Sequence, residues 1–153
     1  MWLIYSHWSF WATIDITKNL LFLSFQTKIQ TMKTTKIIYW ISTGIICLFS
    51  LGAIQMNSQM AIDGANHLLI PRYLGIEVSI GQLIGAVLLI IPAIPARFKE
   101  WAYVGYGIMY ITALNAHLSV GDAFIPFGIM AVIFFGLLLT SYISFHKLQE
   151  AKK

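Results

Sequence analysis

The sequence predicts an all-α membrane protein: a transmembrane bundle of four antiparallel helices with both termini in the cytoplasm. Composition, four long stretches without charge, and a lopsided distribution of cations predict it. Of 153 residues, 58% are hydrophobic and 10% charged, against about 45–50% and about 25% in soluble domains. The mean hydropathy is +0.75. A chain so poor in polar side chains cannot cover a soluble enzyme's surface, which excludes that class. The formal charge of +4 rests on only ten Lys and Arg, scattered between uncharged blocks. That pattern excludes a basic face for nucleic acid and fits membrane loops, so the expected partner is the lipid bilayer.

The elements follow in chain order. Residues 1–31 crowd Trp2, Trp8 and Trp11 with Asp15, Lys18 and Lys28 and lack the layout of a signal peptide. Met32-Lys33-Thr34-Thr35-Lys36 looks like a natural start ahead of a membrane helix. Residues 1–31 are therefore expected to be an upstream extension outside the native protein, with an interfacial helix over 14–25 as the alternative. Residues 32–153 form the membrane domain. Within it Ile37–Ile62, Val78–Ala96, Trp101–Gly121 and Ala123–His146 contain no Asp, Glu, Lys or Arg. A hydrocarbon core of about 30 Å takes about 20 helical residues, and lipid forces each backbone group to be satisfied internally. Helices are predicted over about 36–57, 73–93, 101–120 and 124–146.

The connections are equally readable. Pro92 and Pro95 close the second helix, and Arg97-Phe98-Lys99-Glu100-Trp101 reads as a short charged turn. Gly121-Asp122 separates the third helix from the fourth, with Pro126 in the first turns of the latter. The longest connection, about 57–72, is expected at the interface and partly helical over 60–69. Nine cations, Lys18, Lys28, Lys33, Lys36, Arg97, Lys99, Lys147, Lys152 and Lys153, fall on one side, and the tenth, Arg72, on the other. The positive-inside rule then places both termini in the cytoplasm of a multi-pass protein.

Ionisable groups at membrane depth are expensive and mark candidate sites. His67, Arg72, Glu77, His117 and Asp122 converge on the outer side. They suit a small polar pocket for a quinone or lipid headgroup, with His117 as proton carrier or donor. A structural reading stands beside it: Arg72 pairs with Glu77, His117 bonds Asp122, and the cluster anchors loop to helix. Gln82 and Asn115 are the polar residues near the midplane, and the Gln82 amide needs a partner such as Asn115, Thr112 or a backbone carbonyl. With only these two below the outer cluster, no helix carries a line of polar residues, which argues against a pore. Gly81 and Gly85 form a Gly-x-x-x-Gly step suited to close helix packing or to a homo-oligomer face.

The single cysteine, Cys47, lies in an apolar run and excludes internal dithiol chemistry. No catalytic set and no metal-ligating pattern is present, and nothing ligates haem, flavin or an iron–sulfur cluster. No covalently bound cofactor is expected, a quinone is the candidate ligand, and the chain is not expected to be an enzyme by itself.

From Met32 onward the chain resembles the small DoxX-like family of bacterial integral membrane proteins. The resemblance is carried by Lys36-Ile37-Ile38-Tyr39-Trp40-Ile41-Ser42-Thr43-Gly44, by the entry at Pro71 to Gly75, by Phe98-Lys99-Glu100-Trp101-Ala102-Tyr103-Val104-Gly105, and by Ala116-His117-Leu118-Ser119-Val120-Gly121-Asp122. It implies a four-helix protein of the bacterial inner membrane, loosely grouped with subunits of quinone-linked sulfur and oxidative-stress systems. Members often carry a lysine in the second helix and an acid in the third. Here the nearest positions hold Gln82 and Met109, so no proton or ion role is carried over on that pair. The expected function is an accessory subunit of a quinone-linked redox system, beside a redox partner protein. The alternatives are an oligomeric protein handling small solutes or lipid, and a purely structural membrane partner.

Overall fold

The computed structural model describes residues 2–151, with the side chains of 18, 22, 23, 26 and of 28–151 except Pro126. The tryptophans at 2, 8 and 11, Asp15, and the cations Lys152 and Lys153 lie outside the described side chains. The chain divides into two compact units, 1–37 and 38–153. Helix α1 runs Trp2–Ser50 and tightens into a 3₁₀ turn over Leu51–Gln55; α2 is Gln59–His67, α3 Arg72–Ile90, α4 Ala96–Ser119 and α5 Ile129–Glu150. No strand occurs among the described residues. The backbone is thus helical on both sides of Met32, without a break at the expected start. In the first unit, Thr34 and Thr35 turn their hydroxyls back onto the carbonyls of Gln30 and Thr31, at 3.1 and 2.9 Å.

Three helical stretches, Lys28–Gln55, Arg72–Ile90 and Ile129–Glu150, are long and apolar enough to cross a membrane. The expected third span is also a helix, of 24 residues, but falls short in apolarity. Its buried face carries Lys99, Tyr103, Tyr106 and Tyr110, and Asn115 and His117 lower its apolarity further. The expectation that no helix bears a line of polar residues is therefore corrected. The tyrosines read as apolar bulk in the sequence, yet their spacing stacks three hydroxyls on one face of α4.

These hydroxyls knit the second unit. Ser141 Oγ lies 2.6 Å from Thr43 Oγ1 and 2.8 Å from the Tyr103 hydroxyl, joining α1, α4 and α5. Tyr106 donates to the Gln82 carbonyl at 2.7 Å, and its oxygen lies 2.7 Å from Ser50 Oγ, joining α3, α4 and α1. The outer faces are the reverse: Leu48, Ile84, Val104, Ile133 and Ile143 are all exposed. An apolar exterior around a hydroxyl-bearing interior is what a hydrocarbon solvent selects.

Arg97 to Trp101 is not a free turn but the start of α4, which Pro95 initiates. The helix is recruited there because α3 stops early. Pro92 has no N–H and pushes Ile91 to extended backbone (φ −82°, ψ 116°), so α3 ends at Ile90 and not near 93. The Leu89 carbonyl is left without its helical donor. Lys99 Nζ donates to it at 2.9 Å and the Tyr39 hydroxyl at 3.3 Å. Lys99, expected as an interfacial cation, is accordingly only 4% exposed.

Gly81 and Gly85 part company. A Cβ on Gly85 would stand 2.8 Å from Cε2 of Tyr106, whereas Gly81 faces open space. Tyr106 is pinned at its hydroxyl and cannot retreat. Gly85→Ala is expected to lower stability by about 1–3 kcal/mol through overpacking, while Gly81→Ala stays within about 0.5 kcal/mol. Thermal unfolding of the two purified variants in one detergent separates them; equal melting points would refute the close approach.

Candidate functional site

The site is assembled where the last turn of α2 meets the end of α4. Ser58 caps α2, its hydroxyl accepting the Ala61 N–H at 3.3 Å, and the short helix delivers His67 in its last turn. At the end of α4, Gly121 takes φ +81°, a left-handed value that glycine adopts without strain. That turn brings the Asp122 N–H to the His117 carbonyl at 3.0 Å and folds the Asp122 side chain back over the helix end. Beyond it Phe124–Gly128 forms a π-type turn, broken by extended backbone at Ile125, before α5 begins. Pro126 belongs to this turn and not to the helix proper.

Asp122 is held between two imidazoles. His117 Nδ1 lies 2.6 Å from Oδ2, and His67 Nε2 lies 2.8 Å from Oδ1 and 3.0 Å from Oδ2. Asp122 is 10% exposed, His117 22% and His67 56%, so accessibility rises outward through the trio. An ionised carboxylate only accepts, so each nitrogen facing it carries the hydrogen. His117 in its neutral form is thereby fixed with a proton on Nδ1 and a lone pair on Nε2. The His117 ring also stacks on Phe127, with centroids 5.3 Å apart and planes 18° from parallel. The imidazole is oriented by a carboxylate on one edge and an aromatic ring on its face, which leaves Nε2 as the atom able to exchange a proton or a hydrogen bond with a ligand. The two hydrogen bonds hold the Asp122 carboxyl below its usual range, His117 contributing most and His67 adding to it.

Of the five residues expected to converge, the structure brings together His67, His117 and Asp122. Arg72 and Glu77 stand in the first turns of α3, both exposed, and form no ion pair among the described residues. The expected Arg72–Glu77 clamp is thus absent. They are five residues apart, a separation that turns them to different sides of a helix, where three or four would align them. Among the described residues the Gln82 amide has none of the partners expected for it. Its backbone carbonyl takes the Tyr106 hydroxyl instead, and Asn115 is exposed on α4, its carbonyl receiving the Ser119 hydroxyl at 2.7 Å. Cys47 is buried and donates to the Ala86 carbonyl at 3.6 Å.

Sequence inspection missed the interior polar groups: Lys99 on the end of α3, and the linked hydroxyls of Thr43, Ser141 and Tyr103. The available signal was the run Lys99, Tyr103, Tyr106, Tyr110 at spacings of four, three and four. Tyr110 extends the row outward, buried and with no hydrogen-bond partner for its hydroxyl among the described residues. It packs parallel to Tyr106 and Phe134, at 5.9 and 5.8 Å.

A family model described as the DoxX-like family matches residues 41–141, well over half of the chain. The match includes the hydroxyl core, His67, His117 and Asp122. No curated protein and no solved structure matches the chain.

The pH dependence of the trio follows from the depressed Asp122 carboxyl. A carboxyl lowered in the folded state contributes stability that is fully present above its unfolded value of about 3.9 and is lost as pH falls through the lower folded value. Asp122→Asn should therefore flatten the acid limb of a melting-temperature profile below about pH 4, relative to wild type. Identical acid limbs would show that Asp122 is not held by the histidines.

Proposed function

The chain belongs to the DoxX-like family, and from that premise we propose that it is an accessory subunit of a quinone-linked redox system in the bacterial inner membrane. Its four long helices, the last stretch of α1 with α3, α4 and α5, cross the bilayer as an antiparallel bundle. Both termini are cytoplasmic, and the trio of His67, His117 and Asp122 lies at the outer headgroup level. Three of the four helices have the length and apolarity of spans. The fourth, α4, has the length, with Lys99, Tyr103, Tyr106 and Tyr110 turned toward its neighbours. The joints support antiparallel neighbours, since Ile91 to Pro95 and Val120 to Ala123 are too short for anything else. The nine cations against Arg72 support the orientation.

The single observation that carries the quinone assignment is the carboxylate-braced imidazole of His117 stacked on Phe127. A quinone headgroup has carbonyl oxygens that accept hydrogen bonds and a flat ring that stacks. His117 Nε2 offers a proton, or takes one from the quinol hydroxyl, and Asp122 beneath it stabilises the imidazolium in either case. Phe127 is itself half-exposed and presents an aromatic face at the same place. The redox chemistry then resides in the ligand and in a partner protein, and this chain contributes the binding and the proton.

Added quinone should raise the melting point of the detergent-purified protein, and His117→Ala should abolish that rise. If the trio only ties α2 to the end of α4, quinone shifts neither protein and His117→Ala merely melts earlier, with Asp122 still held by His67. The orientation is tested separately by reporter fusions. Fusions after Arg97 and at the C-terminus should report a cytoplasmic location, and fusions at Asp63 and Asp122 an external one. An external C-terminus would overturn the topology.

A further inference from the structure

Helix α2 has little to hold it. Nine residues are too few for a helix to persist in water by itself, and none of the nine is buried. Its inward side, Ala61, Ile62 and Ala65, is half-buried, and Ala65 comes near Gly75 in the first turn of α3, where an added Cβ would lie 4.0 Å from that of Ala65. The firm attachment is in its last turn, where His67 Nε2 donates to the Asp122 oxygens at 2.8 and 3.0 Å. One side chain thus ties a weakly packed helix to the end of α4.

The turn that follows is strained. Leu69 has φ +55°, the only positive value outside glycine among the described residues. Its N–H reaches the Asn66 carbonyl at 3.1 Å, and the Ile70 N–H reaches the Ala65 carbonyl at 2.8 Å, the paired bonds of a helix end that glycine ordinarily completes. A leucine there presses its Cβ against the backbone. Its side chain is 82% exposed, so packing within the chain returns almost nothing for that strain. Release of His67 would let Leu69 return to an ordinary backbone conformation.

The balance between the held and released states depends on a proton. Neutral His67 holds Asp122 through an N–H alone, whereas the imidazolium adds ionic attraction to the carboxylate. The other charged and titratable groups near it are His117 on the same carboxylate from α4, Asp63 one turn earlier on α2, which accepts from Gln59 at 2.8 Å, and Arg72 and Glu77, exposed in the first turns of α3. Imidazole is the side chain that ordinarily titrates near neutral pH, so of these His117 is the competitor. A proton on His117 draws the carboxylate toward itself and loosens the hold on His67.

We propose that α2 is a pH-sensitive strap: the protonated His67 fastens it to Asp122, and loss of that proton frees it to swing at Leu69, leaving Asp122 and His117 open to solvent and ligand. The strap controls access to the trio whatever the trio binds, and does not depend on the quinone assignment.

Hydrogen exchange of the full-length protein in detergent, followed by mass spectrometry on peptides spanning 59–70 and expressed as protection relative to the unfolded rate at each pH, reads the release directly, because a freed helix of this length unfolds. Protection in wild type should be about threefold higher at pH 6 than at pH 8, the worth of one exposed ion pair. His67→Gln keeps a donor for Asp122 but cannot charge, and should lose that rise toward acid, since the remaining His117 acts in the opposite sense. Leu69→Gly leaves the trio intact and relieves the turn, so it should raise protection at both pH values by about threefold and keep the pH step. Equal protection of wild type at the two pH values, or an undiminished step in His67→Gln, would overturn the switch. Protection unchanged or lowered in Leu69→Gly would overturn Leu69 as the strained hinge. A missing quinone shift at His117 leaves the strap standing, and a missing pH step leaves the quinone reading standing.

Discussion

The absence of water around its helices is the constraint from which the rest of this protein follows. Polar groups inside are satisfied by other parts of the chain, the Tyr110 hydroxyl excepted among the described residues, because an unpaired one in hydrocarbon costs several kcal/mol. The Leu89 carbonyl shows the constraint acting. Pro92 ends α3 and removes the donor that carbonyl would have had, and the structure answers with Lys99 from α4 and Tyr39 from α1. One broken helical hydrogen bond thus fixes how three helices meet. The same logic places Ser141 between Thr43 and Tyr103, and Tyr106 between Ser50 and the Gln82 carbonyl. Apolar contact alone would not choose a register, since lipid competes equally well for an apolar face. The hydroxyls choose it.

Helix α4 concentrates nearly all of this chemistry. Its buried face presents Lys99, Tyr103, Tyr106 and Tyr110, and its last turn presents His117. Gly85 on α3 exists as glycine because Tyr106 occupies the space a methyl would need. The other long helices meet it mainly with small hydroxyls, Thr43 and Ser50 from α1 and Ser141 from α5. That division explains why α4 has the length of a span without the apolarity of its neighbours.

The fold class was legible because it rests on long averages: charge-free windows and proline positions survive any local detail. The helix α2 was legible from its place between two apolar windows, and the His117–Asp122 pair from its five-residue separation across a glycine. What could not be read depended on which face of a helix turned inward. Tyrosine counts as bulk in a hydrophobicity scan, and only burial reveals that its hydroxyl is the part that matters. Lys99 looked like a headgroup cation because all five residues of Arg97-Phe98-Lys99-Glu100-Trp101 are charged or aromatic, and its true role depends on a carbonyl ten residues earlier. Arg72 and Glu77 looked like a pair because their charges are opposite, but helical geometry at a separation of five does not bring them together.

The trio at the end of α4 also differs in kind from the interior network. Inside, the partners of Tyr103, Tyr106 and Lys99 are other hydroxyls and backbone carbonyls, groups that hold position without changing charge. Outside, Asp122 sits between two imidazoles, side chains whose ordinary titration lies near neutral pH, and the more exposed His67 comes from a short helix with no buried residue of its own. A network built only to hold α2 in place could use hydroxyls, as the interior does. Two histidines on one carboxylate, with an aromatic ring against the inner one, instead place side chains able to carry a proton where His67 meets the surface. The interior is built from hydroxyls, a lysine and carbonyls and the trio from two imidazoles and a carboxylate, and that contrast is why the functional proposal rests on His117.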